Sequence, residues 1–298
     1  MKIAENLKKV LLIQRKVIII EVKVYYLERE RTLKKMKLRR IAAGLLAVAS
    51  CGIMLAGCGG NNAANNTTTS DGEAKGGKLI MATEPGFAPY EYIDGSEVAG
   101  IDVDIANAIA DELGMELEIQ QMDFDGALLA VQQGKVDFAA AGISITDERK
   151  EVMDFSIEYA TSKQVVVVLK DANIISSPSD IKEGTKVAVQ QATVADSYVS
   201  DDLGMEPLRY TKYVQAAEDL KNNKVDCIIM DELPAKEMVK ANDTLAILDE
   251  EVFTDKYALA FQKGNTELED KVNAILEKLI ADGKVDEFTL KHTTGDAE

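Results

Sequence analysis

The side chains able to do chemistry are few and mostly carboxylic. Asp102 and Asp104 stand two residues apart, as do Asp123 and Asp125, and paired carboxylates are the equipment of glycoside hydrolysis. At that spacing two side chains diverge at a helix start, and on a strand they share a face without the separation such catalysis needs. Acids at a helix N-terminus are better read as electrostatic support for it. The single histidine, His292, sits near a polar tail, and Cys227 lies in an apolar run. Neither a nucleophile–base pair nor metal-ligand spacing is visible, so no catalytic residue, metal or cofactor is expected. What remains is a pair of opposite charges. Arg149 ends the segment Gly142-Ile-Ser-Ile-Thr-Asp-Glu-Arg149, and Asp231 closes the apolar run Cys227-Ile-Ile-Met-Asp231. A planar guanidinium grips a carboxylate through two parallel bonds, and a buried carboxylate answers an ammonium. Each has a plainer reading too: Arg149 as a surface arginine paired with Glu148 or Glu151, Asp231 as a helix N-cap.

The elements that must position these residues alternate between two periods. Lys78–Thr83 reads as a strand, and Val103, Ile105, Ile109 and Leu113 form a helical stripe over 102–113 with Gly114 at its C-terminal cap. A strictly alternating strand follows from Met115, then a helix over 125–133 ending at Gly134, then a buried strand over 136–141. A β-α-β-α-β order calls for a parallel sheet flanked by helices. The second half repeats this grammar, with strands at 165–169, 186–190 and 225–230 and helices at 195–199 and 214–220. Gly134-Lys-Val-Asp leads into one strand and Asn223-Lys-Val-Asp into another, which implies two similar lobes. Gly142 and Asp231 then fall at the carboxyl ends of their strands, where open α/β sheets bind ligands.

The 298 residues, 46% of them hydrophobic, suffice for one large or two modest cores. Charge is split unevenly: residues 1–57 hold 13 Lys/Arg and 4 Asp/Glu, whereas residues 58–298 hold 21 and 47. So acidic a body repels phosphate backbones, and nucleic acid is not an expected partner. Basic residues Lys34 to Arg40 precede an uncharged apolar run, Ile41 to Ala56, in the order of a secretory signal and too short to span a bilayer. The run ends in Leu55-Ala56-Gly57-Cys58, which resembles the lipobox of bacterial lipoproteins, although a chance cysteine beside small residues reads the same. That resemblance implies cleavage before Cys58 and acylation of its thiol, with residues 36–57 as signal peptide. Residues 58–77, rich in Asn, Thr, Gly and Ala, read as a flexible tether. Residues 1–35 fit no targeting scheme, and Met36 is the expected start, with an upstream extension before it. Cys227 would be alone in the mature chain, so no disulfide is expected.

Five segments in order carry a wider resemblance: Thr83-Glu-Pro-Gly-Phe-Ala-Pro-Tyr-Glu-Tyr, Gly100-Ile-Asp-Val-Asp-Ile-Ala, Met122-Asp-Phe-Asp, Gly142 to Arg149, and Asp154-Phe-Ser. From about Lys78 to His292 the chain resembles the type II periplasmic binding proteins that serve polar amino-acid ABC importers. The resemblance implies a two-lobed α/β fold, each lobe a mainly parallel sheet with flanking helices. Lobe 1 would take residues 78–159 and 257–298 and lobe 2 residues 163–254, with two hinge crossings between them. Together with the lipobox, it implies a monomer that captures a free amino acid outside the cytoplasm, anchored to the membrane by lipid, and delivers it to the permease and ATPase subunits of the importer.

By the same resemblance, Arg149 holds the ligand carboxylate with Ser144 assisting, and Asp231 holds the ammonium, helped by the carbonyl of Gly142. Thr193 donates from lobe 2, although Ala192 stands where the family usually has glycine. Phe87, Tyr90 and Phe124 align with pocket walls, or else serve as core residues. Glu84 faces the distal group, or else is a turn carboxylate before Pro85, and Gln190 and Met230 complete the distal end. None of these distal residues is basic, so glutamate and aspartate should bind poorly, whereas glutamine, arginine or lysine fit, with cystine outside that group. The competing class is an enzyme on the same fold, such as a periplasmic dehydratase of a cyclic amino acid, which would form product from what it binds. The anchor makes its own prediction: Cys58→Ser should give an unprocessed or soluble product that takes up no labelled fatty acid. Unchanged membrane retention in high salt would contradict it.

Overall fold

The computed structural model describes residues 76–172 and 174–293. The upstream extension, the signal segment, Cys58 and all of the tether but its last two residues lie outside the described residues. In chain order the first half runs β1 (Lys78–Thr83), a small antiparallel meander of β2 (Gly86–Phe87), β3 (Glu91–Asp94) and β4 (Glu97–Ala99), then α1 (Ile101–Leu113), β5 (Glu116–Gln121), α2 (Phe124–Gln132), β6 (Phe138–Ala139), α3 (Asp147–Val152) and β7 (Met153–Phe155). The second half runs β8 (Ala160–Leu169), β9 (Val187–Gln190), α4 (Val194–Ser197) continued by a π turn, β10 (Leu208–Tyr210), α5 (Tyr213–Lys221), β11 (Cys227–Asp231), α6 (Glu232–Ala241), β12 (Leu245–Ile247) and β13 (Phe253–Tyr257). The chain then returns through β14 (Ala260–Gln262), α7 (Thr266–Ala281) and α8 (Lys284–Thr293).

Two larger sheets result. One has the order β5-β1-β6-β14-β7; the other runs β10-β9-β11-β8-β12, with β13 also on β8. In the first, β5, β1 and β6 are parallel and β14 and β7 antiparallel to their neighbours. In the second, β10, β9 and β11 are parallel, while β8 runs antiparallel to β11, β12 and β13. The first sheet therefore holds the parallel trio that the period-2 and period-3.6 pattern implies. In the second, β9 and β11 are parallel as expected, but β8, the strand expected over 165–169, runs antiparallel to β11, and β10 supplies the third parallel strand. The antiparallel strands lie where the chain passes between the sheets: β8 leaves the first lobe, and β13 pairs with its start, Tyr257 opposite Ala160 and Phe253 opposite Gln164. This two-stranded ribbon joins the two sheet-rich lobes.

Local signals explain the connections. Gly114 ends α1 in the left-handed conformation, its N–H reaching the Ala110 and Asp111 carbonyls. The apolar stripe of α1 is buried at Val103, Ile105 and Ile109. The strand expected over 136–141 keeps only two paired residues, because past Ala139 the backbone turns toward the cleft at Gly142. Gly100, before α1, has φ +137, and an added Cβ would lie 2.1 Å from the Tyr90 carbonyl oxygen, so only glycine brings α1 this close to β3. His292 lies between Asp104, 2.9 Å from its Nε2, and the Tyr92 hydroxyl, 3.0 Å from its Nδ1, and so fastens α8 to α1 and β3. Cys227 is fully buried in β11, and burial pushes its thiol up to about 12, as befits a small core residue. No helix among the described residues is long and apolar enough to cross a membrane.

Candidate functional site

Four loops at the carboxyl ends of β1, β6, β9 and β11 converge between the lobes. They enclose a cavity lined by Glu84, Phe87, Phe124, Gly142, Ser144, Arg149, Gln190, Thr193 and Asp231, together with Glu91, Ala141 and Val194. Nine of the eleven residues placed in the site from sequence thus come together. Tyr90 does not line the cavity; it is buried behind Phe87, stacked on it at 5.9 Å, and meets Tyr257 edge-on. Met230 is fully buried in β11 and is likewise absent from the wall.

Arg149 enters from α3, whose N-cap Thr146 accepts a hydrogen bond from the Arg149 N–H. Its guanidinium turns inward instead of to Glu148 or Glu151. Nη1 donates to the Ser144 carbonyl at 2.6 Å, Nη2 donates across the cleft to the Ala192 carbonyl at 2.9 Å, and the group lies 5.6 Å from the Phe124 ring centre. Burial lowers its pKa to about 10, which leaves it cationic at neutral pH. Ala192 adopts φ +65, a left-handed conformation that costs a residue with a Cβ about 1–2 kcal/mol. The Thr193 hydroxyl donates to the Gln190 carbonyl and accepts from the Asp196 N–H, so it caps α4 at the cavity edge.

Asp231 occupies the N-cap position of α6, yet its side chain makes no capping bond. It accepts from Ser162 Oγ at 2.7 Å and, closely, from the Tyr257 hydroxyl, one donor from each strand of the connecting ribbon. Beside it on that ribbon is Asp255, which accepts a short hydrogen bond from Ser144 Oγ and has its other oxygen buried without a partner. Burial, then the neighbouring Asp231, pushes the Asp255 carboxyl up to about 7, and burial raises Asp231 as well. Asp255, Tyr257 and Ser162 carry no periodic signal that marks them as site residues; their place follows from the β8–β13 pairing.

A second carboxyl pair underlies the first lobe's side. Asp102 accepts from the Gly142 N–H at 3.0 Å and from the Tyr159 hydroxyl at 2.7 Å, and burial pushes it up to about 6. Glu91 is fully buried, and burial raises its pKa well above the usual range, with Asp102 adding to the effect. Taken as two carboxylates they have no donor between them; a proton on Glu91 turns the contact into a hydrogen bond. Asp102 thus supports the Gly142 loop. At the distal end Glu84 is 2% exposed. Gln190 Nε2 donates to it at 3.3 Å and Lys212 Nζ lies 3.3 Å from its other oxygen. The expectation of a distal end without a basic residue is therefore not met: Lys212, at the start of α5, supplies one.

The comparisons with known proteins point one way. The model of the bacterial extracellular solute-binding proteins, family 3, matches residues 79–295. The arginine-binding extracellular protein ArtP of Bacillus subtilis is 32% identical over 259 residues, covering 85% of this chain and 98% of that protein. Among solved structures, the substrate-binding protein AbpA of Streptococcus pneumoniae bound to L-arginine is 37% identical with a TM-score of 0.68, covering 73% of this chain and 94% of that one. An ancestral arginine-binding protein bound to glutamine is 36% identical at the same TM-score, over 73% of this chain and 98% of that one. The fold is the type II periplasmic binding protein fold.

The raised Asp255 sets a pH dependence. A carboxyl whose folded pKa exceeds its unfolded value near 3.8 favours folding when protonated, and that contribution is lost as pH rises toward about 7. In ligand-free protein, Asp255→Asn should melt like the parent near pH 4. It should gain an advantage between about pH 4 and 7 and hold it above. A thermal difference constant across that range would contradict the assignment.

Proposed function

Because the chain belongs to family 3 of the bacterial extracellular solute-binding proteins, an amino-acid-binding family among its relatives, we propose that it captures arginine or a closely related basic amino acid for an ABC importer. The observation that carries this reading is one cavity with Arg149 on one lobe, Asp231 on the other and Glu84 at its far end. A free amino acid offers a carboxylate and an ammonium one carbon apart, and burying either unpaired is costly. Arg149 takes the carboxylate, with Ser144 and Thr193 beside it. Asp231 takes the ammonium, with Asp255 adding negative charge behind it. Phe87 and Phe124 flank the side chain, and Glu84 meets its distal cation. Acidic groups outnumber basic ones around the cavity, which favours a ligand with net positive charge.

Residues 78–159 with 257–298 move against 163–254 by bending at the β8–β13 ribbon, and a ligand that touches both lobes stabilises the closed form. Cys58 holds the monomer to the membrane by lipid. The ligands in the relatives' names support the choice of arginine, and the glutamine complex of an arginine-binding relative keeps an amide ligand as the second candidate.

A thermal-shift panel of the twenty amino acids plus cystine tests the reading. Arginine at a hundred times its Kd should add about 2.7 kcal/mol to stability. Arg149→Ala and Asp231→Ala should each weaken binding at least about tenfold by calorimetry, since a charged hydrogen bond contributes roughly 1.5–3 kcal/mol and 1.4 kcal/mol is one decade. A largest shift with glutamate would contradict the ligand class, and recovery of a converted product would favour the enzyme on this fold.

A further inference from the structure

Glu84 already has a cationic partner from the opposite lobe. Lys212 stands at the N-cap position of α5 but makes no capping bond there. Its side chain, 41% exposed, instead crosses the cleft to within 3.3 Å of Glu84 Oε1. The two form an ion pair, in which Oε1 is buried and has no donor aligned on it. The other oxygen is taken by Gln190 Nε2, which also donates to the Thr211 carbonyl, the residue next to Lys212. Its own lobe makes room for the carboxylate. A Cβ on Gly86 would lie 2.7 Å from Oε1, so the missing side chain is what gives the carboxylate its room. Above this end of the cavity, Phe87 of the first lobe stacks on Tyr213, the residue that follows Lys212, with ring centres 6.0 Å apart.

Resting on the reading of Glu84 as the distal acceptor, we propose that Lys212 is a specificity-determining residue: it stands in for the ligand's distal cation and sets how the site ranks cationic against neutral side chains. The reasoning is one of charge pairing. With a neutral ligand such as glutamine, Lys212 keeps the buried Glu84 carboxylate neutralised, and an amide N–H can fill the unaligned Oε1. With arginine or lysine, the ligand cation competes with Lys212 for one carboxylate and is repelled by it. Removing the lysine charge therefore helps a cationic ligand and harms a neutral one, because the neutral ligand leaves a buried carboxylate uncompensated.

The test is the ratio of arginine to glutamine affinity by calorimetry in the parent, Lys212→Met, Lys212→Gln and Lys212→Arg proteins. A ratio within one protein is insensitive to the fraction correctly folded. Both neutral variants should raise the ratio at least about tenfold, a change of 1.4 kcal/mol, while Lys212→Arg, which keeps the charge, should leave it near the parent value. An unchanged ratio in the neutral variants, or an equal change in Lys212→Arg, would overturn the proposal and leave the amino-acid reading standing. A parent protein that binds neither amino acid would overturn both.

Discussion

Charge buried between two lobes is the constraint on which this structure turns. Five carboxyl groups, those of Glu84, Glu91, Asp102, Asp231 and Asp255, gather around one small cavity with the cations of Arg149 and Lys212. Their fates differ with their partners. Burial raises Glu91 well above the ordinary carboxylate range, and Asp102 is used up on the Gly142 loop and Tyr159. Asp231 and Asp255 lie close together at the ribbon, both raised by burial. On the proposed reading, such a site favours what supplies positive charge at two separate places, and an amino acid with a basic side chain does so while offering Arg149 a carboxylate.

The scaffold around these groups follows from the same need. The polar groups stand at the carboxyl ends of parallel strands, where backbone ends point into the cleft. Gly142, at φ +54, leaves no room for a Cβ between Phe87 and Tyr257. Segment 143–145 hydrogen-bonds to β13, Ala258 N–H to the Ile143 carbonyl and Ile145 N–H to the Lys256 carbonyl. The loop that carries Ser144 is therefore tied directly to the ribbon that carries Asp255 and Tyr257.

Much of this was legible in the sequence because strand and helix periods fix where a strand ends: Gln190 and Asp231 stand at strand ends, and Gly142 in the loop just past one. Arg149 and Thr193 needed the segments around them, since an arginine after Thr-Asp-Glu is equally a surface residue by pattern alone. Lys212, Asp255, Tyr257 and Ser162 were not legible. Each meets a residue of the cavity wall through pairing between segments far apart in the chain: Asp255, opposite Ser162 in the ribbon, bonds Ser144, Ser162 and Tyr257 bond Asp231, and Lys212 meets Glu84 across the cleft. Tyr90 and Met230 show the converse limit. Both sit beside wall residues in sequence, and packing turns both into the core.

The central claim is that the two ends of the ligand backbone are held by opposite charges on opposite lobes. Calorimetry with arginine and its analogues tests it with the protein unaltered: agmatine lacks the carboxylate, and the analogue with hydroxyl in place of the α-amino group lacks the ammonium. Each deletion should weaken binding at least about tenfold, because it leaves Arg149 or Asp231 buried without its partner. Agmatine or the hydroxy acid binding as tightly as arginine would contradict the account.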